Sequence, residues 1–500
     1  MKKSILHTSA IVAGATLLYK ILGFIEKVAL ASVFGTRPEA DAYLAAAAVV
    51  LLMGFLLADI AAPALIPLLL AEPDHAQSTL RTISGLVLLV SLPLTGLAIV
   101  GSDQLARLFG PGFAPQTHAL ASQVIKIGML AFPALCLTSI LTAWYQTYDR
   151  FARPAFADLA LKLAPVLGII VTRSVYGLAW GLVIGAMVRC GLLLSPSVPI
   201  MPRFRLRDQR VQQVLHNAMP LLMTSLVSVH LISVIENAIA STVSSGAVAA
   251  MTYARRIVEV PVILAPQVIA RVVFPWLSQL AIDRDFGALQ RLLQRSIRFT
   301  VAGLAPLTIL GMVLATPLVR LLLERGAFDQ TAVQQTSLAM LTAMPGLPAL
   351  ALTTLLMRFN YAVGDTRRPS MIRVAGALAQ IGLALWWRRW GIAGIGLAAT
   401  VALWLETIAL QIVAQRAVQA TDTADFKFWL MTGIASMTTA ASTWWLMHQF
   451  DHATGTLALL LELTAVSAFG LSVYAGTFWL SGGMKLLGLQ DRLKARDARL

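Results

Sequence analysis

Apolar residues run along this chain in long continuous stretches, not in alternation with polar ones. Each stretch is about 20 residues or longer, enough to cross a bilayer as a helix. Backbone polar groups in hydrocarbon must be satisfied internally, so runs of this kind predict helices and not strands. The pattern predicts about fourteen spans, over residues 9–34, 41–70, 83–103, 119–147, 155–172, 175–198, 214–243, 248–281, 297–323, 332–362, 369–387, 391–415, 427–447 and 456–480. Turn signals punctuate them: TRPEA at 36–40, GPGFAPQ at 110–116, DRFARP at 149–154, ERGAFDQ at 324–330 and GDTRRP at 364–369. The N-terminal MKKSILHTSAIVAGA has the look of a signal peptide, but the apolar run continues to Phe34 without a convincing cleavage site. It reads as a retained first helix.

An internal repeat organises the spans. Residues 132–154 read FPALCLTSILTAWYQTYDRFARP and residues 347–369 read LPALALTTLLMRFNYAVGDTRRP. Pro133, Ala134, Leu135, Leu137, Thr138, Leu141, Arg153 and Pro154 all recur 215 residues later, and Phe113 recurs as Phe328 at the same offset. A shared gapless offset that reaches into the loops outweighs chance similarity between Leu/Ala-rich segments. Spans 1–6 and 7–12 are therefore two copies with an even number of spans each, hence a parallel repeat. The expected fold is an all-α polytopic membrane protein, with an N-lobe (1–210) and a C-lobe (211–420) around a central cavity. Two extra helices (421–483) and a basic tail (484–500) follow.

Composition agrees: 58% of the 500 residues are hydrophobic and 13% charged, and the mean hydropathy is +0.76. The formal charge of +15 invites nucleic acid as a partner. However, the Lys and Arg cluster in alternate loops, as in 203–210, 291–298 and 367–373. That is the positive-inside pattern of a multi-pass protein with both termini in the cytoplasm, and no nucleic acid is expected. The tail can lie on the inner leaflet as a basic amphipathic helix or be simply solvated. Cys136 and Cys190 sit in apolar runs without metal-ligand spacing and read as small buried hydrophobes. The chain carries no Walker loop, no HExxH and no nucleophile elbow, so no enzyme is expected. Transport without an ATPase would draw on an ion gradient, the membrane potential or a substrate gradient; no cofactor or metal is expected.

The candidate chemistry is charge at membrane depth. Such groups are costly and generally face a bundle interior or a wet cavity. Span 1 carries Lys20, Glu26 and Lys27, with Gly23 leaving room for a ligand or a neighbouring helix. Lys20 and Lys27, seven apart, share one helical face. A substrate pathway competes here with an internal Glu26–Lys27 pair or a snorkelling lysine. Span 2 opens at Asp41 and also carries Asp59; span 7 holds Glu236 beside Asn237. In span 8, Glu259 stands i+4 from Arg255 and i+3 from Arg256, so it can pair with either. Arg271 adds a further cation, and Pro261, Pro266 and Pro275 permit bending or mark packing kinks. Lys20, Lys27, Arg255, Arg256 and Arg271 are the expected substrate-binding cations, suited to a phosphate-bearing substrate. Gly23, Glu26, Asp41, Glu236, Asn237, Glu259 and Pro261 are expected to support or gate. Lys126, Lys162, Arg189, Arg358, Glu406 and Glu462 are expected to pair locally.

YKILGFIEK with VFGTRPEADAY resembles the opening of the MurJ/MviN lipid II flippase family. The resemblance continues through IPLLLAE at 66–72, DRFARPAFA at 149–157, YARRIVEVP at 253–261, FPWLSQLA at 274–281, ERGAFD at 324–329 and GDTRRP at 364–369. It implies a flippase that carries an undecaprenyl-pyrophosphate-linked glycan from the inner to the outer leaflet of the bacterial inner membrane. Membrane lipids and cell-wall synthesis proteins are the implied neighbours. The family's first-helix arginines fall on Lys20 and Glu26, and the acid that follows falls on Lys27. The span-8 arginine falls on Arg256, with Glu259 and Pro261 matching. The family's span-2 arginine falls near Met53 and Gly54, where there is no cation. Arg255 stands where an acid is usual, and Arg271 is an additional cation. Lipid II is the expected substrate. Another lipid-linked oligosaccharide, or a cation-coupled drug antiport using Glu26, Asp41, Glu236 or Glu406, remains an alternative reading, as does a non-transporting membrane scaffold.

Overall fold

The computed structural model describes residues 2–194, 212, 229–264, 277, 279–283, 285–417, 426–449 and 455–483. Arg271, Pro266, Pro275 and the tail lie outside these residues, as do the expected lobe boundaries near 210 and 420. The described residues are almost entirely helical. In the first part of the chain the helices are α1 (Lys2–Phe34), α2 (Pro38–Ala71), α3 (Ala76–Val100), α4 (Ser102–Phe109), α5 (Pro115–Met129), α6 (Phe132–Thr147), α7 (Ala152–Ala157), α8 (Ala160–Thr172) and α9 (Val175–Leu193). Then come α10 (Val229–Ser241), α11 (Ala247–Leu264), α12 (Phe286–Val313), α13 (Ala315–Leu323), α14 (Gln330–Ala343), α15 (Leu347–Ala362), α16 (Arg367–Trp387), α17 (Ile392–Ala417), α18 (Phe426–Met447) and α19 (Thr456–Leu480).

The repeat is visible in the helix bounds. α5, α6 and the α7–α8 segment begin at residues 115, 132 and 152, and α14, α15 and α16 begin at 330, 347 and 367. Proline at the first turn of α5 and prolines near the starts of α6 and α15 fit these starts, since a missing N–H costs nothing there. Among the described residues, eight helical segments are long and apolar enough to cross a membrane, and nine when α5 and α6, bent by 43°, count as one span. The expected spans 214–243 and 248–281 extend into residues outside those described.

The chain divides into two compact units, Met1–Ala249 with Arg325–Asp329, and Ala250–Glu324 with Gln330–Leu500. In the first, Ile60 and Leu65 of α2 pack with Leu80 and Ile83 of α3, Leu141 and Tyr145 of α6, and Leu193. Polar links tie this core across helices. The Tyr145 hydroxyl donates to the Leu193 carbonyl at 3.0 Å. Arg153, in the DRFARP turn, donates to the carbonyls of Leu192 at 2.8 Å and Leu194 at 3.3 Å. It thereby serves carbonyls that the end of α9 leaves without helical partners. Arg189 bonds Asp158 at 2.7 Å and Thr138 at 2.6 Å, so its pairing is across helices and not local.

In the second unit, Leu289, Leu293 and Ile297 of α12 form a core with Leu352, Leu356 and Phe359 of α15, Leu410 of α17, Phe428 of α18, and Tyr474 and Phe478 of α19. The two helices outside the repeat thus pack on α12. The Thr353 and Thr407 hydroxyls meet at 3.0 Å, using the repeat counterpart of Thr138 to bridge α15 and α17. Trp444, Trp445, Leu457 and Leu461 point outward and are more than half exposed, the arrangement of a bundle solvated by acyl chains.

Candidate functional site

The long helix α1 presents Lys20, Gly23 and Lys27 on one face. α8 runs beside it within the same unit and contributes Lys162. Glu26 is 3% exposed and Lys27 8%. The Glu26 carboxylate holds Lys27 Nζ at 2.6 Å through Oε1 and Lys162 Nζ at 2.8 Å through Oε2. Lys27 Nζ lies 5.8 Å from the centre of the Tyr43 ring, and Lys162 Nζ 5.7 Å from that of Tyr19, so each ammonium also faces an aromatic surface. One carboxylate thus holds two ammonium groups inside an apolar bundle. Lys20 is half-buried on the same helix. A β-carbon at Gly23 would sit 3.6 Å from Lys162 Cε, so the small residue accommodates the stem of that lysine.

Of the readings of the α1 charges, the internal Glu26–Lys27 pair does form, and it is one edge of a larger cluster that includes Lys162. Lys162 was expected to pair locally; its partner is 136 residues away. The signal that could have found it is a lone lysine inside an apolar run facing a helix with a lone glutamate, which demands a partner at that depth.

Asp41, 2% exposed in the first turn of α2, uses both oxygens. Oδ2 accepts from Gly246 N at 2.7 Å and Oδ1 from Ala249 N at 2.8 Å. It satisfies N–H groups that the start of α11 leaves open and lies at the positive end of that helix dipole. Glu236 and Asn237 are buried on α10, which packs through Val234 against Val49 and Leu52 of α2. Glu236, like Glu26, directly follows an isoleucine on its helix.

In the second unit, Arg256 pairs with Glu259 at 3.0 Å, with the Arg256 side chain 49% and the Glu259 side chain 36% exposed. The i+3 partner is thus the one chosen. Arg255, on the adjacent face of α11, is half-buried, as is Pro261 within the same helix. The structure brings Glu26, Lys27, Lys162 and Gly23 together in the first unit, where Lys20, Asp41, Glu236 and Asn237 also belong. Arg255, Arg256, Glu259 and Pro261 belong to the second.

Two copies of a helical unit, apolar enough to span a bilayer and with a buried cluster of ion pairs, define a polytopic helical membrane protein of the transporter class. The chain belongs to the family described as lipid II flippase MurJ, whose family model matches residues 30–465. It is 27% identical over 500 aligned residues to the lipid II flippase MurJ of Burkholderia cenocepacia, covering 94% of this chain and 96% of that one. The fold matches a solved lipid II flippase MurJ with a TM-score of 0.82 at 21% identity, over 94% of this chain and 99% of the other. An inward-facing multidrug MATE transporter matches at a TM-score of 0.66 and 13% identity, over 80% and 95% of the two chains.

Proposed function

We infer that this protein is a lipid II flippase of the bacterial inner membrane, a transporter and not an enzyme. The observation that carries the reading is family membership spanning most of the chain, from residue 30 to residue 465. The two buried ammonium groups on α1 and α8 support it from the chemistry. A pyrophosphate-linked lipid needs positive charge at depth, and ammonium and guanidinium groups supply it.

The charge pattern on α1 reads as a swap with a supplement. Where the family places an arginine followed by an acid, this chain has Glu26 followed by Lys27, so the pair survives in reverse order. Lys162 from α8 then adds a second ammonium group to the same carboxylate. On this proposal Lys20, Lys27 and Lys162 serve the diphosphate from α1 and α8, and Arg255, Arg256 and Arg271 serve it from span 8. The two repeats act as lobes that alternate access, driven by an ion gradient or the membrane potential, with both termini cytoplasmic. Glu26, and the absence of a cation at Met53 and Gly54, favour a second reading: a flippase for a different lipid-linked glycan.

The test is replacement. The chain is expressed in bacteria depleted of their own lipid II flippase, and lipid II at the outer leaflet is measured with an externally added cleaving enzyme. Restored exposure is the expected result. No exposure from a properly inserted protein would move the assignment to another lipid-linked glycan.

A further inference from the structure

We propose that a pocket beside the α8–α9 turn binds the headgroup of an anionic phospholipid, with Arg173 and Arg325 as its cationic rim. The pocket lies wholly within the first unit, encloses about 700 Å³, and is lined by Ser32 and Val33 of α1, Ile169 and Ile170 of α8, and the two arginines. None of these residues belongs to the Glu26 cluster.

The backbone fixes both arginines at the rim. Arg173 ends α8 in the left-handed conformation, φ 48° and ψ 34°, with its N–H on the Ile169 carbonyl at 2.8 Å. Helices end this way most often on glycine or asparagine, so an arginine there is not what the turn alone would select. Arg325 precedes Gly326, which has φ +62° and where a β-carbon would collide with the Ser32 carbonyl. Ala327 N donates to that same carbonyl at 2.8 Å, holding the backbone beside Arg325 against α1.

The walls select a lipid over a soluble anion. Ile170 is 61% exposed and continues a stripe of Leu163, Leu167 and Val171 along one face of α8, each 43–80% exposed. That stripe meets acyl chains in a membrane, so the pocket opens onto hydrocarbon. A ligand with a phosphate at one end and an acyl chain at the other satisfies both parts, the phosphate accepting from the guanidinium groups.

The full-length protein is reconstituted in nanodiscs of mixed phosphatidylglycerol and phosphatidylcholine, and co-purifying lipid is counted by native mass spectrometry. Preferential retention of phosphatidylglycerol is expected, falling about tenfold in the Arg173→Gln/Arg325→Gln double variant, as loss of two charge-assisted contacts implies. An Arg388→Gln/Arg389→Gln control should retain it. Equal retention of the two lipids, or unchanged phosphatidylglycerol in the double variant, overturns the proposal. Displacement of phosphatidylglycerol by equimolar undecaprenyl diphosphate also overturns it, making the pocket a station for the transported class of lipid. Should the double variant fail to insert, Ile170→Trp fills the pocket with both charges intact. The same loss is expected there, and undiminished binding refutes the site.

Discussion

Lys162 Nζ stands 2.8 Å from Glu26 Oε2, joining α8 to α1 across 136 residues of sequence. Lys27 takes the other oxygen of the same carboxylate, so one acid holds two ammonium groups in fixed positions. Buried ion pairs add little net stability over apolar packing, but removing one partner leaves an uncompensated charge. Glu26→Gln leaves two buried ammonium groups without their carboxylate. It should cost about 3–5 kcal/mol in reversible unfolding in mixed micelles. Adding Lys162→Met to Glu26→Gln should recover part of that loss; a purely additive double variant would show that the two groups are not coupled.

The same lysine separates structural from transport roles. Lys162→Arg keeps the charge and should retain most outer-leaflet exposure of lipid II in flippase-depleted cells. Lys162→Met should lower it by about tenfold or more, since a charge-assisted contact to phosphate is worth more than a kcal/mol. Equal activity of the Met and Arg variants, at matched membrane levels, would remove Lys162 from the substrate path.

Gly23 bears on that geometry. A β-carbon there would sit 3.6 Å from Lys162 Cε, an ordinary contact. Gly23→Ala is therefore expected to be tolerated, and helix propensity even favours it by up to about 1 kcal/mol. Gly23→Leu must push the lysine stem aside and should destabilise by about 1–3 kcal/mol, the usual cost of overpacking. Thermal melts of the two variants in detergent would distinguish them.

Asp41 caps α11 from another helix. Asp41→Ala strands two backbone donors that are bonded at 2.7 and 2.8 Å, and a loss of about 2–4 kcal/mol is expected. Asp41→Asn keeps one accepting oxygen and should fall between. If residual transport in these variants follows the amount of folded protein, Asp41 acts through α11. A transport defect in fully stable Asp41→Asn would instead put the carboxylate on the pathway.

Much of this was legible in the chain. The 215-residue offset between Pro133 and Pro348 carries through to helix bounds, because prolines and loop glycines set where helices start and stop. The Glu26–Lys27 pair was among the readings open from sequence, being adjacent on one helix. Lys162 was legible as a charge that needs a partner at depth, but not as the third member of this cluster. Its partner is set by how α8 packs on α1, and no local periodicity encodes that. Asp41 reads only as an acid at the opening of span 2 for the same reason: its partners are backbone N–H groups, which carry no sequence signature.

The two glycine turns make the last test. Gly112 N donates to Ser241 Oγ at 3.1 Å, and Ala327 N donates to the Ser32 carbonyl at 2.8 Å. Residues 112 and 327 are repeat equivalents, so a turn from each copy anchors the end of the first helix of the other copy, both within the first unit. A β-carbon at Gly112 would strike the Ser241 carbonyl, and one at Gly326 would strike that of Ser32. Backbone cannot swing away as a side chain can, so Gly112→Ala and Gly326→Ala should each destabilise by about 1–3 kcal/mol. Gly326 carries the added strain of φ +62° and should be the worse of the two. Gly96 of α3 and Gly433 of α18 have nothing within 4 Å of a β-carbon, so alanine there should be neutral or stabilising. If melting temperatures order the four variants this way, the crossed turns fasten the unit; if Gly112→Ala and Gly326→Ala melt with the controls, the anchoring is incidental.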